Sequence, residues 1–264
     1  GTAMNGIVIA IIVVTLIGII CAVVLAVASK VMAVPVDERI PAVRECLPGA
    51  NCGGCGFAGC DGYAAALVDD PTLPLNLCSP GGAAAAEKLS AVLGRSAGSV
   101  EAKAAVVHCK GDCNVTSKKM DYTGIQSCKA AKLMYGGPGQ CTYGCMGLGD
   151  CAKACPYDAI CIENGIAHVD LRKCVGCGAC AKVCPNHVIS VLPVSAPVKV
   201  ICSNKDKGPA VRKKCTAGCL GCGMCMRKCP NGAITVVDNL AVIDYEKCTG
   251  CGTCRDVCPA KCIL

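Results

Sequence analysis

The sequence contains no tryptophan, one phenylalanine and six tyrosines in 264 residues. So few large aromatics cannot fill the core of one large globular domain. The chain must instead divide into small units, and small units without a core need staples, either disulfides or metals. Catalytic machinery is also missing. No G-x-G-x-x-G follows a strand, there is no P-loop, and no nucleophile sits beside a base in any recognisable pattern. Dinucleotide and nucleoside-triphosphate chemistry therefore has no complete site in this chain. One further absence is local: no charged residue occurs from Gly6 to Ser29.

What the chain does have is cysteine, 29 of them. Cys128, Cys141, Cys145, Cys151, Cys155, Cys174, Cys177, Cys180 and Cys184 each recur 74 positions later, as Cys202, Cys215, Cys219, Cys225, Cys229, Cys248, Cys251, Cys254 and Cys258. Nine repeats at one offset mark a tandem duplication. Three runs, Cys174–Cys184, Cys219–Cys229 and Cys248–Cys258, read C-x2-C-x2-C-x3-C-P, the bacterial ferredoxin spacing for [4Fe–4S] clusters. Secreted disulfide frameworks do not repeat this pattern, and zinc ribbons separate their cysteine pairs by a long loop.

A short loop wraps three corners of a cubane, and the fourth lies too far round for it. The fourth cysteine of each run, followed by proline, therefore ligates the cluster of the partner run. This assigns Cys174, Cys177, Cys180 and Cys155 to one cluster and Cys141, Cys145, Cys151 and Cys184 to its neighbour. The second copy gives Cys219, Cys222, Cys225 and Cys258, then Cys248, Cys251, Cys254 and Cys229. One run is irregular: Leu148 stands where the other copy has Cys222, so Cys141 is taken as the replacement ligand. Its duplicate Cys215 leaves four candidates for three corners in the second copy, and regular spacing favours Cys222 over Cys215.

Upstream, Cys52-x2-Cys55-x4-Cys60 and then Cys78 lie in LPGANCGGCGFAGC and the segment after it. On spacing alone this three-plus-one set fits a fifth [4Fe–4S] cluster or a zinc site. Cys109, Cys113 and Cys128 offer three ligands toward a sixth cluster, but no fourth partner is evident, and they read as spare thiols. His108 beside Cys109 reads as structural. Cysteine-ligated clusters carry net negative charge, so the formal +7 is no argument for nucleic acid binding. Such clusters also need a reducing compartment.

The expected fold class is α+β: a single N-terminal transmembrane helix, a small helical [4Fe–4S] domain and two tandem bacterial-ferredoxin-like double-cluster domains. The expected boundaries are 1–34 (a tag remnant ahead of Met4, then the membrane helix), 35–98, a connecting segment 99–127, 128–192 and 193–264. The apolar run is long enough to span a bilayer, at about 1.5 Å per residue. Lys30, Arg39 and Arg44 beyond it favour a cytoplasmic C-terminal side. Asn164-Gly165 and Asp238-Asn239, each between short alternating apolar runs, predict type I′ hairpins. Leu192–Ala196 reads as a hinge between the copies, and the basic stretch from Lys199 to Lys214 as a solvated loop or a docking patch for an acidic carrier.

The order of these parts resembles the B subunits of Rnf complexes. The resemblance rests on an N-terminal membrane helix, LPGANCGGCGFAGC with Cys78, and ferredoxin runs including CTYGCMGLGDCAKACPYDAI. It covers the chain from Met4 onward. It implies that Cys52, Cys55, Cys60 and Cys78 hold a [4Fe–4S] centre, for five clusters in all. It also implies a plasma-membrane subunit with cytoplasmic clusters, taking electrons from soluble ferredoxin within a ferredoxin:NAD oxidoreductase whose other subunits hold flavin and NAD. The simplest members have one ferredoxin pair where this chain has two. The competing reading is an iron–sulfur subunit of another membrane-bound reductase or hydrogenase.

Overall fold

A computed structural model describes residues 2–31 and 37–264. The expected boundary at 34–35 lies outside the described residues. The chain forms two compact units, 1–40 and 41–264.

In the first unit, α1 (Thr2–Val31) is a continuous helix whose stretch from Val8 to Ser29 is long and apolar enough to cross a membrane. Its aliphatic side chains, Ile9, Leu16 and Leu25 among them, are exposed all round. A helix apolar on every face has no stripe to bury against a soluble core and suits a lipid environment.

After α2 (Arg39–Glu45), the second unit opens with α3 (Cys60–Asp69) and α4 (Gly82–Leu93). Each buries an apolar face in the small core of this segment, Tyr63 and Leu67 from α3 and Leu89 from α4, all at most 1 % exposed. Gly94, at φ 64, ends α4 in the left-handed conformation expected of a helix stop. Arg95 then reaches back to the carbonyls of Leu67 (2.8 Å) and Pro71, tying the two helices together.

β1 (Lys103–Val107) pairs antiparallel with β4 (Ile189–Pro193). Between them lie α5 (Cys128–Lys132), α6 (Asp150–Lys153), the hairpin β2 (Ile160–Glu163) with β3 (Ile166–Val169), and α7 (Ala179–Val183). The second copy holds α8 (Gly208–Lys214), α9 (Met224–Lys228), the hairpin β5 (Ile234–Val237) with β6 (Leu240–Ile243), and α10 (Thr253–Asp256). Both hairpin turns have two residues at positive φ, Asn164 and Gly165 (50° and 81°) and Asp238 and Asn239 (48° and 61°), as type I′ geometry demands. The short helices after the cysteine turns each start behind a left-handed glycine: Gly149, Gly178, Gly223 and Gly252.

Two sequence expectations shift. The segment 99–127, read as a connection with a strand over Ala102–His108, does carry that strand as β1, but β1 is an integral part of the first ferredoxin unit. The expected hinge at 192–196 begins inside β4, because Leu192 and Pro193 still face Ala104 and Lys103 across the ladder. Pro193 is tolerated there because it ends an edge strand.

The α3–α4 core is small enough to be sensitive to one side chain. Leu89→Ala should cost about 2–5 kcal/mol locally. Hydrogen exchange should show lost protection confined to 41–98, and spreading of that loss into both hairpins would contradict this packing.

Candidate metal centres

Cys52 and Cys55 lie in the glycine-rich loop, Cys60 opens α3, and Cys78 immediately precedes α4. Asn51 Oδ1 accepts the backbone N–H of Cys60 at 2.8 Å, which fixes the loop against the helix start. Cys78 is buried within electrostatic reach of Cys55, Cys60 and Cys52, and burial raises its pKa. This group abuts the ferredoxin unit directly. Gly54 packs on the backbone of Cys177, where a Cβ would stand 2.6 Å from the carbonyl oxygen. Lys182 Nζ donates to the carbonyls of Cys52 and Gly53 at 3.0 and 3.1 Å. Tyr157 feels Cys177 on one side and Cys52, Cys78 and Cys60 on the other.

Cys155, Cys174, Cys177 and Cys180 line one cavity. The N–H of Ala105, on β1, donates to Cys174 Sγ at 3.3 Å, and that of Ala159 to Cys155 Sγ at 3.4 Å. In the second copy, Cys219, Cys222, Cys225 and Cys258 line a cavity of the same kind. Cys254 lies within reach of Cys248 and Cys251, and Cys229 ends α9, which packs against α10. Burial pushes the Cys180 and Cys225 thiols up to about 11 and Cys151 to about 12. A buried thiolate is costly without a cation, and a metal core supplies it. Among the described residues, no three cysteine, histidine or carboxylate side chains converge on a point as a single ion needs. Four cysteines line each of the two cavities, the donor set that a [4Fe–4S] core takes, and the residues fit such cores.

The remaining group differs from expectation. Cys145 and Cys151 have Cys128 and Cys184 as electrostatic neighbours, and Cys128, at the start of α5, is buried. Cys128 thus occupies the place expected of Cys141, and the helix carrying it is held by the Ser127 hydroxyl and the Lys129 N–H, both donating to Asp150 Oδ2. Cys141 faces away, toward Cys109, Cys202 and Cys215. The reason is topological. His108 N–H donates to the Val188 carbonyl just as Ile201 N–H donates to the Cys262 carbonyl, and Val188 and Cys262 are duplicates at the 74-residue offset. The structural counterpart of Cys202 is therefore Cys109, and the offset between Cys128 and Cys202 is a coincidence. The first copy carries a longer loop between Cys109 and Cys141, and that loop brings Cys128 beside Cys145 and Cys151.

Other residues escaped the sequence reading. Cys262, 1 % exposed, lines the cavity of Cys219 and Cys258, with its Sγ 3.6 Å from that of Cys258. A hydrogen bond from the Cys262 thiol lowers the pKa of Cys219. The signal was available: a cysteine stands where the duplicate has apolar Val188. His108 is structural, as expected, with its ring nitrogens 2.6 Å from the Val200 carbonyl and the Ser190 hydroxyl.

Family models match three segments: an Fe–S cluster family over residues 47–80, a 4Fe-4S binding domain over 167–190 and a 4Fe-4S dicluster domain over 211–259. The chain is 49 % identical to the B subunit of the proton-translocating ferredoxin:NAD(+) oxidoreductase complex of Clostridium ljungdahlii, over 91 % of this chain and 85 % of that one. It is 42 % identical to the B subunit of the Na(+)-translocating ferredoxin:NAD(+) oxidoreductase complex of Acetobacterium woodii, over 87 % and 69 %. It is 41 % identical to the B subunit of the ion-translocating oxidoreductase complex of Methanosarcina acetivorans, over 85 % of both chains. The chain belongs to the family of Rnf-complex B subunits.

Within this family the present chain carries iron–sulfur domains of both kinds that its cysteine spacing implies, the glycine-rich one at 47–80 and the ferredoxin type beyond 167. Hydrogen bonds to cluster sulfurs raise the potential of a centre. Replacing Cys262 by alanine removes such a donor without removing an expected ligand. Iron content should stay at the wild-type value while one midpoint potential, followed by EPR during redox titration, moves to more negative values. An unshifted set of potentials would remove Cys262 from this role.

Proposed function

We propose that this chain is the membrane-anchored iron–sulfur electron-transfer subunit of an ion-translocating ferredoxin:NAD(+) oxidoreductase complex. In this reading α1 anchors it in the plasma membrane with residues 41–264 on the cytoplasmic side, and reduced ferredoxin is the soluble donor. The ligand sets are Cys52, Cys55, Cys60 and Cys78; Cys155, Cys174, Cys177 and Cys180; Cys128, Cys145, Cys151 and Cys184; Cys219, Cys222, Cys225 and Cys258; and Cys229, Cys248, Cys251 and Cys254. When bound, the clusters supply one-electron carriers of low potential. The observation that carries the reading is the seating of one cysteine group on the next: Gly54 packs on the Cys177 backbone, and Lys182 donates to the carbonyls of Cys52 and Gly53. The names of relatives differ in the ion moved, protons in one and sodium in another, and nothing in this chain selects between them.

The protein's own part is to bind the cores, exclude water and present charge to the donor. Transient redox partners meet over small surfaces, with charge complementarity raising the on-rate. The basic stretch flanks Cys222, which is exposed. Within it, Lys205 pairs with Asp238 at 3.2 Å and Lys214 with Asp206 at 2.7 Å, so these two are partly neutralised. Lys207, Arg212, Lys213, Arg227 and Lys228 are exposed, with no ion pair among the described residues. They form the face offered to an acidic carrier.

Reversing Lys207, Arg212 and Lys213 to Glu should lower the rate of reduction by ferredoxin roughly tenfold or more at low ionic strength. The gap to wild type should close as salt rises and screening removes steering. Reduction by a small uncharged donor should not change. A triple variant reduced by ferredoxin at the wild-type rate in low salt would move the entry point elsewhere.

A further inference from the structure

Between the two ferredoxin units, four cysteines outside the sets above converge on one space. Cys109, Cys141, Cys202 and Cys215 line a cavity of about 40 Å3, larger than the two cavities framed by the regular ferredoxin runs. Two come from each copy, and they are equivalent in pairs, because Cys109 and Cys202 follow matching backbone hydrogen bonds while Cys141 and Cys215 are duplicates. The surroundings repeat as well. Cys109 Sγ accepts the N–H groups of Gly111 (3.4 Å) and Cys145 (3.3 Å), and Cys202 Sγ accepts those of Asn204 (3.4 Å) and Cys219 (3.2 Å). N–H donors aimed at sulfur in this way are what cluster thiolates receive. Asn204 is a buried polar side chain, 2 % exposed, and its Nδ2 donates to Cys141 Sγ at 3.2 Å. Two glycines keep the space between the sulfurs open. A Cβ on Gly144 would sit 3.4 Å from Cys109 Sγ and 3.5 Å from Cys141 Sγ, and one on Gly111 would sit 3.5 Å from Cys109 Sγ and 3.7 Å from Cys215 Sγ.

We propose that Cys109, Cys141, Cys202 and Cys215 ligate a sixth [4Fe–4S] cluster at the junction of the two ferredoxin units. This deepens the electron-transfer reading and rests on it. The position explains why a chain with two ferredoxin pairs is not electrically divided. Cys145, a ligand of the first unit, donates its N–H to Cys109, and Cys219, a ligand of the second, donates its N–H to Cys202. The junction core takes one electron from the cluster of Cys219 and gives one to the cluster of Cys145, alternating between the 2+ and 1+ levels with no proton moved and no bond made or broken. It also explains Cys215. It is no surplus copy of a displaced ligand but half of the second unit's contribution to a shared site.

The test uses the full chain, purified anaerobically, with iron, acid-labile sulfide and zinc measured per chain. Wild type should hold about 24 iron atoms, four for each of six clusters. Cys141→Ala and Cys215→Ala should each lose about four and retain the EPR signals of the remaining centres. Asn204→Leu keeps every ligand, so iron should remain at wild-type content while one midpoint potential falls. That variant decides the matter if the cysteine variants lose more iron through misfolding. About 20 iron atoms in wild type, wild-type iron in both cysteine variants, one zinc in place of four iron, or unshifted potentials in Asn204→Leu would each overturn the junction cluster. A wild type with little iron at all would instead overturn the electron-transfer reading beneath it.

Discussion

Buried sulfur is the constraint on which this structure depends. Many of the cysteines are buried where the thiolate is disfavoured: burial pushes Cys109 and Cys151 up to about 12. A cationic iron–sulfide core reverses that balance by accepting the thiolates as ligands and releasing their protons. The apolar content around each site is slight, mostly alanine, valine and isoleucine on two-stranded hairpins, with no tryptophan anywhere. Units of this size have little independent stability. Cofactor and fold therefore stand together, and the stability of residues 41–264 is inseparable from cluster occupancy.

The duplication turns that local constraint into a long-range device. In each ferredoxin unit a cysteine that precedes a proline lies among those of the partner run, Cys155 with Cys174, Cys177 and Cys180, and Cys258 with Cys219, Cys222 and Cys225. At the outer end of the first unit, Gly54 against Cys177 and Lys182 against the Cys52 and Gly53 carbonyls dock the glycine-rich domain. At the inner end, the N–H of Cys145 and that of Cys219 point at sulfurs of the junction group. No contact in this succession is large, but each sets a cysteine of one group beside the next. A protein that moves electrons needs proximity more than extensive interfaces.

Much of this was legible in the sequence because the chemistry is local. The ferredoxin runs, the helix after Cys60, the stop at Gly94 and both type I′ turns follow from residues close together in the chain. What was not legible depends on pairing between distant segments. β1 meets β4 across more than eighty intervening residues, and only that pairing shows that Cys109 is the counterpart of Cys202. The constant offset of 74 misled at one point: it aligned Cys128 with Cys202, although the loop that carries Cys128 has no equivalent in the second copy. The clue that pointed correctly was Leu148, since a missing ligand implies a replacement. Spacing alone proposed Cys141, whereas the fold brings Cys128.

The most direct measurement is the location of iron in the intact chain, by an anomalous difference map collected above and below the iron absorption edge. Six cubane-sized peaks in one continuous succession are expected, with one among Cys109, Cys141, Cys202 and Cys215 and another among Cys128, Cys145, Cys151 and Cys184. A map with iron in both ferredoxin units and none between them would contradict the continuous path.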